Sequence, residues 1–149
     1  MKKITFSIVL LLIFFIAGCQ NTEYSSAGNQ EEHTVSAYTP SAEDVVDMHG
    51  EIENEERFKQ FLNHVEEEKK DNLRLVRYTT EGDPILYDLA YDAGEIKLTM
   101  DSRRDEYGEG SITTATCNSI QTVETGEGAD YILENCQDTT DQLILITLE

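Results

Sequence analysis

Asn54-Glu55-Glu56-Arg57-Phe58-Lys59-Gln60-Phe61-Leu62-Asn63-His64-Val65 opens a stretch that runs on through Glu66-Glu67-Glu68 to Lys69-Lys70. Phe58, Phe61, Leu62 and Val65 stand at i, i+3, i+4 and i+7, a spacing that places four apolar side chains on one helical face. Asn54 suits the N-cap, where its side-chain oxygen would accept a free backbone N–H, and Glu55 and Glu56 set negative charge at the positive end of the dipole. Lys69 and Lys70 suit the other end, and Asp71-Asn72 stops the pattern. The spacing predicts a helix over residues 54–70, about 25 Å long, with Glu66, Glu67 and Glu68 solvated. A helix with one apolar face needs a sheet to cover it.

The flanking chain supplies one. Asp44-Val45-Val46-Asp47-Met48-His49, ended by Gly50, reads as a first strand. Residues 73–80 are β-branched, aromatic and aliphatic, and Glu81-Gly82-Asp83-Pro84 turns them. Ile85, Tyr87, Leu89 and Tyr91 alternate with smaller or polar residues, and so do Ile96, Leu98 and Met100. The Asp92-Ala93-Gly94 loop between these runs makes a hairpin. Residues 101–111 are charged and glycine-bearing, hence an exposed loop. Residues 112–124 read as one strand, Gly126-Glu127-Gly128 turns it, and residues 130–136 return. With Gly126 and Glu127 at the centre of that turn, Ile120 faces Leu133, Thr122 faces Tyr131, and Cys117 faces Cys136 within disulfide reach. A bulge at the glycines would shift this pairing. Leu143-Ile144-Leu145-Ile146-Thr147-Leu148 is apolar on both faces, as a mid-sheet strand would be. The fold class is α+β: one amphipathic helix on a mostly antiparallel sheet of about six strands, cystatin-like by analogy only.

The chain begins with Lys2 and Lys3 and an apolar run over residues 4–16, too short for a mature membrane span of about 20 residues. Ile16-Ala17-Gly18-Cys19 then resembles the lipobox of bacterial lipoproteins, in which a peptidase cuts before a diacylglyceryl-modified cysteine. By that resemblance residues 1–18 are a signal peptide and Cys19 is the lipid-bearing N-terminus. Cys117 and Cys136 are then an even pair outside the cytoplasm, where disulfides persist. Residues 19–42 are polar and aperiodic, and read as a flexible tether in which His33 and Tyr38 have no assigned role. Residues 43–149 form a single domain.

The signal removes two of 11 basic and none of 30 acidic residues, leaving a mature formal charge of −21. Such a field repels nucleic acid and anionic headgroups, so membrane attachment falls to the lipid, and it favours a protein partner with a basic surface. The domain is expected to be a monomer.

His33, His49 and His64 have no metal-ligand spacing, and no nucleophile motif of the G-x-S-x-G kind occurs. The Asp101-Ser102-Arg103-Arg104-Asp105-Glu106 loop lacks the acidic alternation of a calcium loop and carries two arginines in its midst. The two Gly-Glu-Gly triplets would repel phosphate. No catalytic residue, metal site or cofactor is assigned. The expected function is a non-catalytic binding module that makes contact through Thr80, Glu81, Gly82, Asp83 and Pro84, a loop stiffened by glycine and proline. A Ca²⁺-responsive envelope protein using its acidic surface, and a hydrolase built on His49 or His64, are the alternatives.

Residues 44–136 carry Asp47-Met48-His49-Gly50, Arg77-Tyr78-Thr79-Thr80-Glu81-Gly82-Asp83-Pro84-Ile85, Tyr87-Asp88-Leu89, Thr116-Cys117 and Leu133-Glu134-Asn135-Cys136. In these pieces the chain resembles a family of small lipoproteins of Gram-positive, spore-forming bacteria, a domain of unknown function. The resemblance implies a lipidated protein on the outer leaflet of a single-membrane cell, and it assigns no activity.

Overall fold

The apolar stripe folds as a helix, α1, spanning Glu55–Glu66. The computed structural model of the chain describes residues 35–126, 128–137 and 143–149. Cys19, His33 and the signal segment lie outside the described residues, as does Glu127. The helix is shorter than its charge pattern predicts. Lys69 N–H bonds to the His64 carbonyl (2.8 Å) and Glu68 N–H to that of Val65 (3.2 Å), with Glu68 at φ 55°. This paired closure ends the helix, and Lys69 and Lys70 fall beyond it. The Asn54 cap also differs. Asn54 has no side-chain capping bond; its Nδ2 donates instead to the carbonyls of Ala42 (3.0 Å) and Asp44 (3.2 Å), pinning the helix start to the chain that precedes it.

Before α1 come β1 (Val45–Met48) and a short β2 (Glu51–Glu53) that the sequence does not announce. After it come β3 (Asp71–Tyr78), β4 (Pro84–Asp92), β5 (Glu95–Asp101) and β6 (Ile112–Cys117). These make a six-stranded sheet in the order β2-β1-β3-β4-β5-β6, antiparallel except where β1 lies parallel to β3. A parallel pair needs a crossover, and α1 provides it. The β4–β5 turn is tighter than expected: Asp92 pairs with Glu95, leaving only Ala93 (φ 51°) and Gly94 (φ 85°) between them. Two central residues at positive φ match the twist of the strands they join.

A second sheet follows. Residues 112–124 do not run as one strand, because the chain turns at Asn118. β7 (Ser119–Glu124), β8 (Ala129–Glu134) and β9 (Leu143–Leu148) then form three strands in that order. The fold is α+β as expected: among the described residues one helix accompanies mostly antiparallel strands, six in one sheet and three more in a second. Phe58 and Phe61 of α1 and Leu145, Ile146 and Leu148 of β9 join Leu73, Leu75, Leu89, Ile96 and Leu98 of the large sheet in one core. A smaller cluster, Val46, Val76 and Leu86 with Tyr38 and Tyr78, occupies the opposite face.

The hairpin register is as predicted: Ile120 pairs with Leu133 and Thr122 with Tyr131. The same offset continues past the strand ends in a bridge between Thr116 and Gln137, so Cys117 faces Cys136 and the two form a disulfide, their Cα atoms 3.9 Å apart. Cys117 also pairs with Ile96 of the large sheet. The bond therefore staples the corner at which the chain passes from one sheet to the other. It spans 19 positions, and the double Cys117→Ala, Cys136→Ala variant should lose about 3 kcal/mol of stability in urea. A loss below ~1 kcal/mol would show that the corner holds without it.

β9 is an edge strand rather than a mid-sheet one. Tyr131 pairs with Ile146 and Ile132 with Ile144, so Leu145 has no place in the ladder. That bulge turns both Leu145 and Ile146 inward, 1% and 0% exposed, and leaves Ile144 42% exposed. A run that reads as apolar on both faces is thus one inward face with a kink in it. Gly128, at φ 145° just before β8, lies so close to the end of β9 that a Cβ there would stand 2.0 Å from the Leu148 carbonyl oxygen.

Candidate interaction surface

The 79–84 loop is held from within. Gly82 N–H bonds to the Thr79 carbonyl and Thr79 N–H to that of Asp83, both at 2.9 Å, while Asp83 N–H bonds to Thr79 Oγ1 (3.1 Å). Thr80 and Glu81 are left exposed at the tip. Asp83 is drawn aside to accept a hydrogen bond from Glu106 N–H (3.0 Å), which docks the 102–111 loop against this turn. The five residues expected to make contact therefore divide: two at the tip, and three that wall a groove.

The 102–111 loop is built around Asp101. Its carboxylate takes Arg103 through Nε and Nη2 and Arg104 through Nη1, all at 2.9 Å. The Arg103 hydrogen bond, set against partial burial, holds this carboxyl well below the usual range. The two arginines that argue against a calcium loop thus consume its first carboxylate. Among the described residues, no three metal-ligating side chains converge.

The third wall comes from chain expected to be tether. Residues 35–44 lie against the outer face of the large sheet. Tyr38 Oη donates to Asp44 Oδ2 (2.5 Å) and accepts from Arg74 Nη1 (3.4 Å), and the guanidinium groups of Arg74 and Arg104 lie 5.5 Å and 5.7 Å from its ring centroid. Arg104 Nε also bonds to the Ser36 carbonyl (3.1 Å). Asp44 is buried and further accepts Ser41 N–H (2.8 Å). Burial alone would raise its pKa, yet the bonds from Tyr38 and Ser41 bring it below the ordinary value. Burial and the same Asp44 push Tyr38 up. The tether read as ending at residue 42 thus meets the domain by residue 35.

Where the three segments meet lies a groove of about 380 Å3, lined by Tyr38, Tyr78, Asp83, Pro84, Arg103 and Arg104 among others. Next to Glu106 on its rim, Tyr107 is 78% exposed, the most exposed of the described large hydrophobic residues. Tyr78 also lines a second groove, of about 340 Å3, with Asp47, His49, Arg77 and Ile144. Arg77 ties that region together. Its Nε bonds to Asp47 (3.1 Å), its Nη2 donates to the carbonyl of the bulged Leu145, and its guanidinium lies 5.4 Å from the Tyr87 centroid. Asp47-Met48-His49-Gly50 and Arg77-Tyr78 are thereby brought together at one end of the sheet. A third depression, about 530 Å3, lies elsewhere on the outer face beside the Arg74–Asp88 ion pair.

His64 joins a cluster at the end of α1. Its Nδ1 meets Asp71 Oδ2 (2.9 Å), and Asp71 also receives Arg57 through two bonds (2.8 and 3.0 Å). Burial would raise the Asp71 pKa, but the bonds from Arg57, His64 and the Asn72 N–H lower it. His49 stands exposed, 59° in φ, in the β1–β2 turn.

Residues 42–132 match the model of the family described as "Domain of unknown function (DUF4362)". The chain belongs to that family. No curated protein and no solved structure matches. The family span contains β1 through β7, most of β8, and both loops of the groove. Most of the 35–44 segment, Cys136 and β9 lie outside it.

Tyr38, Arg77 and the paired roles of Arg103 and Arg104 have no signal in the sequence. Arg104 and Arg77 depend on partners 68 positions away, Ser36 and Leu145, whereas Arg103 and Tyr38 use the nearby carboxylates of Asp101 and Asp44, too common a spacing to stand out.

Proposed function

We propose that this domain is a non-catalytic interaction module of the cell surface, held by a lipid on Cys19 to the outer leaflet of a Gram-positive cell. The reading is supported above all by the convergence of three chain segments on a groove lined by Tyr38, Tyr78, Arg103 and Arg104 beside an exposed Tyr107. Tyrosine and arginine are the side chains over-represented where proteins bind one another. The internally bonded 79–84 loop and the Asp83–Glu106 contact present them on a frame already shaped, which lowers the ordering cost of binding. At longer range the strongly acidic chain draws a partner with a basic surface. At the groove, the braced guanidinium groups and the tyrosine rings offer that partner a fixed surface.

Two measurements test this. Cys19→Ala should move the protein from the membrane fraction to the medium; retention in the membrane would remove the lipid anchor. A photo-crosslinking side chain at Glu81 or Tyr107 in intact cells should capture one reproducible protein that the same probe at Lys59, on the far side of α1, does not. Equal capture from all three positions, or none across several growth states, would remove the groove as a binding site.

A further inference from the structure

The 35–44 segment has a second property besides walling the groove: little holds it down. It contains no strand, and Ser36, Ala37, Thr39, Ser41, Ala42 and Glu43 are exposed. Its attachment to the rest of the domain rests on the Tyr38 ring, on the bonds from Arg74 to the Tyr38 hydroxyl and from Arg104 to Ser36, and on Asn54 at its far end, while the Tyr38–Asp44 bond lies within the segment itself. A segment with few buried apolar contacts opens at a small fraction of the cost of global unfolding. Beneath it lies the small cluster of Val46, Val76 and Leu86, against which Tyr38 packs. The same Arg104 that holds the segment belongs to the loop whose Glu106 N–H is held by Asp83. The segment, the 102–111 loop and the 79–84 loop are thus linked in series through Arg104 and Asp83.

We propose that residues 35–44 are a releasable strap that gates the groove: docked, the strap completes the site, and undocked, it removes one wall, loosens the 102–111 loop and bares the Val46, Val76 and Leu86 patch. This rests on the groove being the binding site and adds how that site is regulated. The strap begins 16 positions after Cys19. A pull arriving from a fixed Cys19 is therefore borne by the strap before any other part of the domain. A partner that fills the groove holds the strap in place, and by linkage a docked strap raises the affinity for that partner to the same degree.

Hydrogen exchange on the purified full chain, with no partner present, tests the coupling. Tyr38→Ala should speed exchange at the Ser41 and Asp44 amides about tenfold. It should do the same at Glu106, while Leu75 and Leu89 in the large sheet stay within about twofold of the parent. Asp83→Ala, which removes the acceptor of Glu106 N–H, should in turn speed Ser41 and Asp44. Unchanged exchange at Glu106 in the first variant, or at Ser41 and Asp44 in the second, would show that strap and loop are independent. Equal acceleration of Leu75 and Leu89 would show that the strap opens only with the whole domain. Should Tyr38→Ala not fold, Tyr38→Phe keeps the ring and removes the hydroxyl from Asp44. It should still speed Ser41 and Asp44, and unchanged rates there would overturn the gate. Because no partner enters the experiment, a failed crosslink and a failed gate are separate results.

Discussion

A chain ending at Gln142 should not fold. The seven residues removed carry Leu145, Ile146 and Leu148, all buried in the main core between the two sheets. Each such side chain contributes about 1.5–3 kcal/mol on burial, so the three together contribute roughly 5–9 kcal/mol, comparable with the whole stability of a typical domain, about 5–15 kcal/mol. The loss extends further. β8 would lose its ladder partner, and Arg77 the Leu145 carbonyl that it bridges to β1. Far-ultraviolet circular dichroism should show an unfolded chain at 25 °C. A soluble truncation that melts cooperatively would mean that β9 is dispensable.

The second large effect is expected at Phe58. It is fully buried, and its ring meets that of Tyr131 edge-on, with centroids 5.1 Å apart and planes at 86°. Phe58 is on the helix and Tyr131 is in β8, so this pair joins α1 to the small sheet. Phe58→Ala should cost about 3–5 kcal/mol in urea denaturation, the sum of lost transfer energy and the cavity left behind. A double-mutant cycle with Tyr131→Leu should assign about 0.5–1.5 kcal/mol of that to the ring pair. A coupling near zero would mean that the rings are neighbours without specific attraction, and a total cost below ~1.5 kcal/mol would mean that the core closes over the gap.

Local patterns carried the parts of this fold that are set locally. The stripe of Phe58, Phe61, Leu62 and Val65 gives the helix and its buried face. The alternation around Ala93-Gly94 gives the hairpin. The distance of each cysteine from the Gly126 turn gives the disulfide, because the unshifted register of the hairpin fixes every opposed pair beyond it. The failures have three different causes. The helix stops early because Glu68 takes a left-handed conformation where glycine is usual. One strand becomes two at Asn118 because the chain changes sheets there, next to the cysteine that pairs with Ile96 in the large sheet and is bonded to Cys136. The bulge at Leu145 is invisible because Leu, Ile, Leu and Ile differ too little in polarity to mark which of them skips the ladder.

The candidate site was legible only in part. The 79–84 loop is marked by Gly82, Asp83 and Pro84, and it does form one wall of a groove. The other walls are not marked. Tyr38 stands in a polar stretch whose composition resembles a tether, and one aromatic ring with one buried carboxylate six positions on is too sparse a pattern to stand out. Arg103 and Arg104 read as spoilers of a calcium loop. Their use as braces on Asp101 is local to the loop, while the brace from Arg104 to the Ser36 carbonyl needs the strap to be in place.

The bond between Cys117 and Cys136 makes a closed covalent ring of the β7–β8 hairpin. A backbone cut anywhere within that ring, including its exposed turn, opens the circle without separating the halves, since each remains joined through sulfur. That hairpin is therefore a part of the domain able to survive being nicked. Wear of that kind would instead fall on the 102–111 loop, whose base is closed by hydrogen bonds between Ser102 and Ser111 and by no covalent bridge.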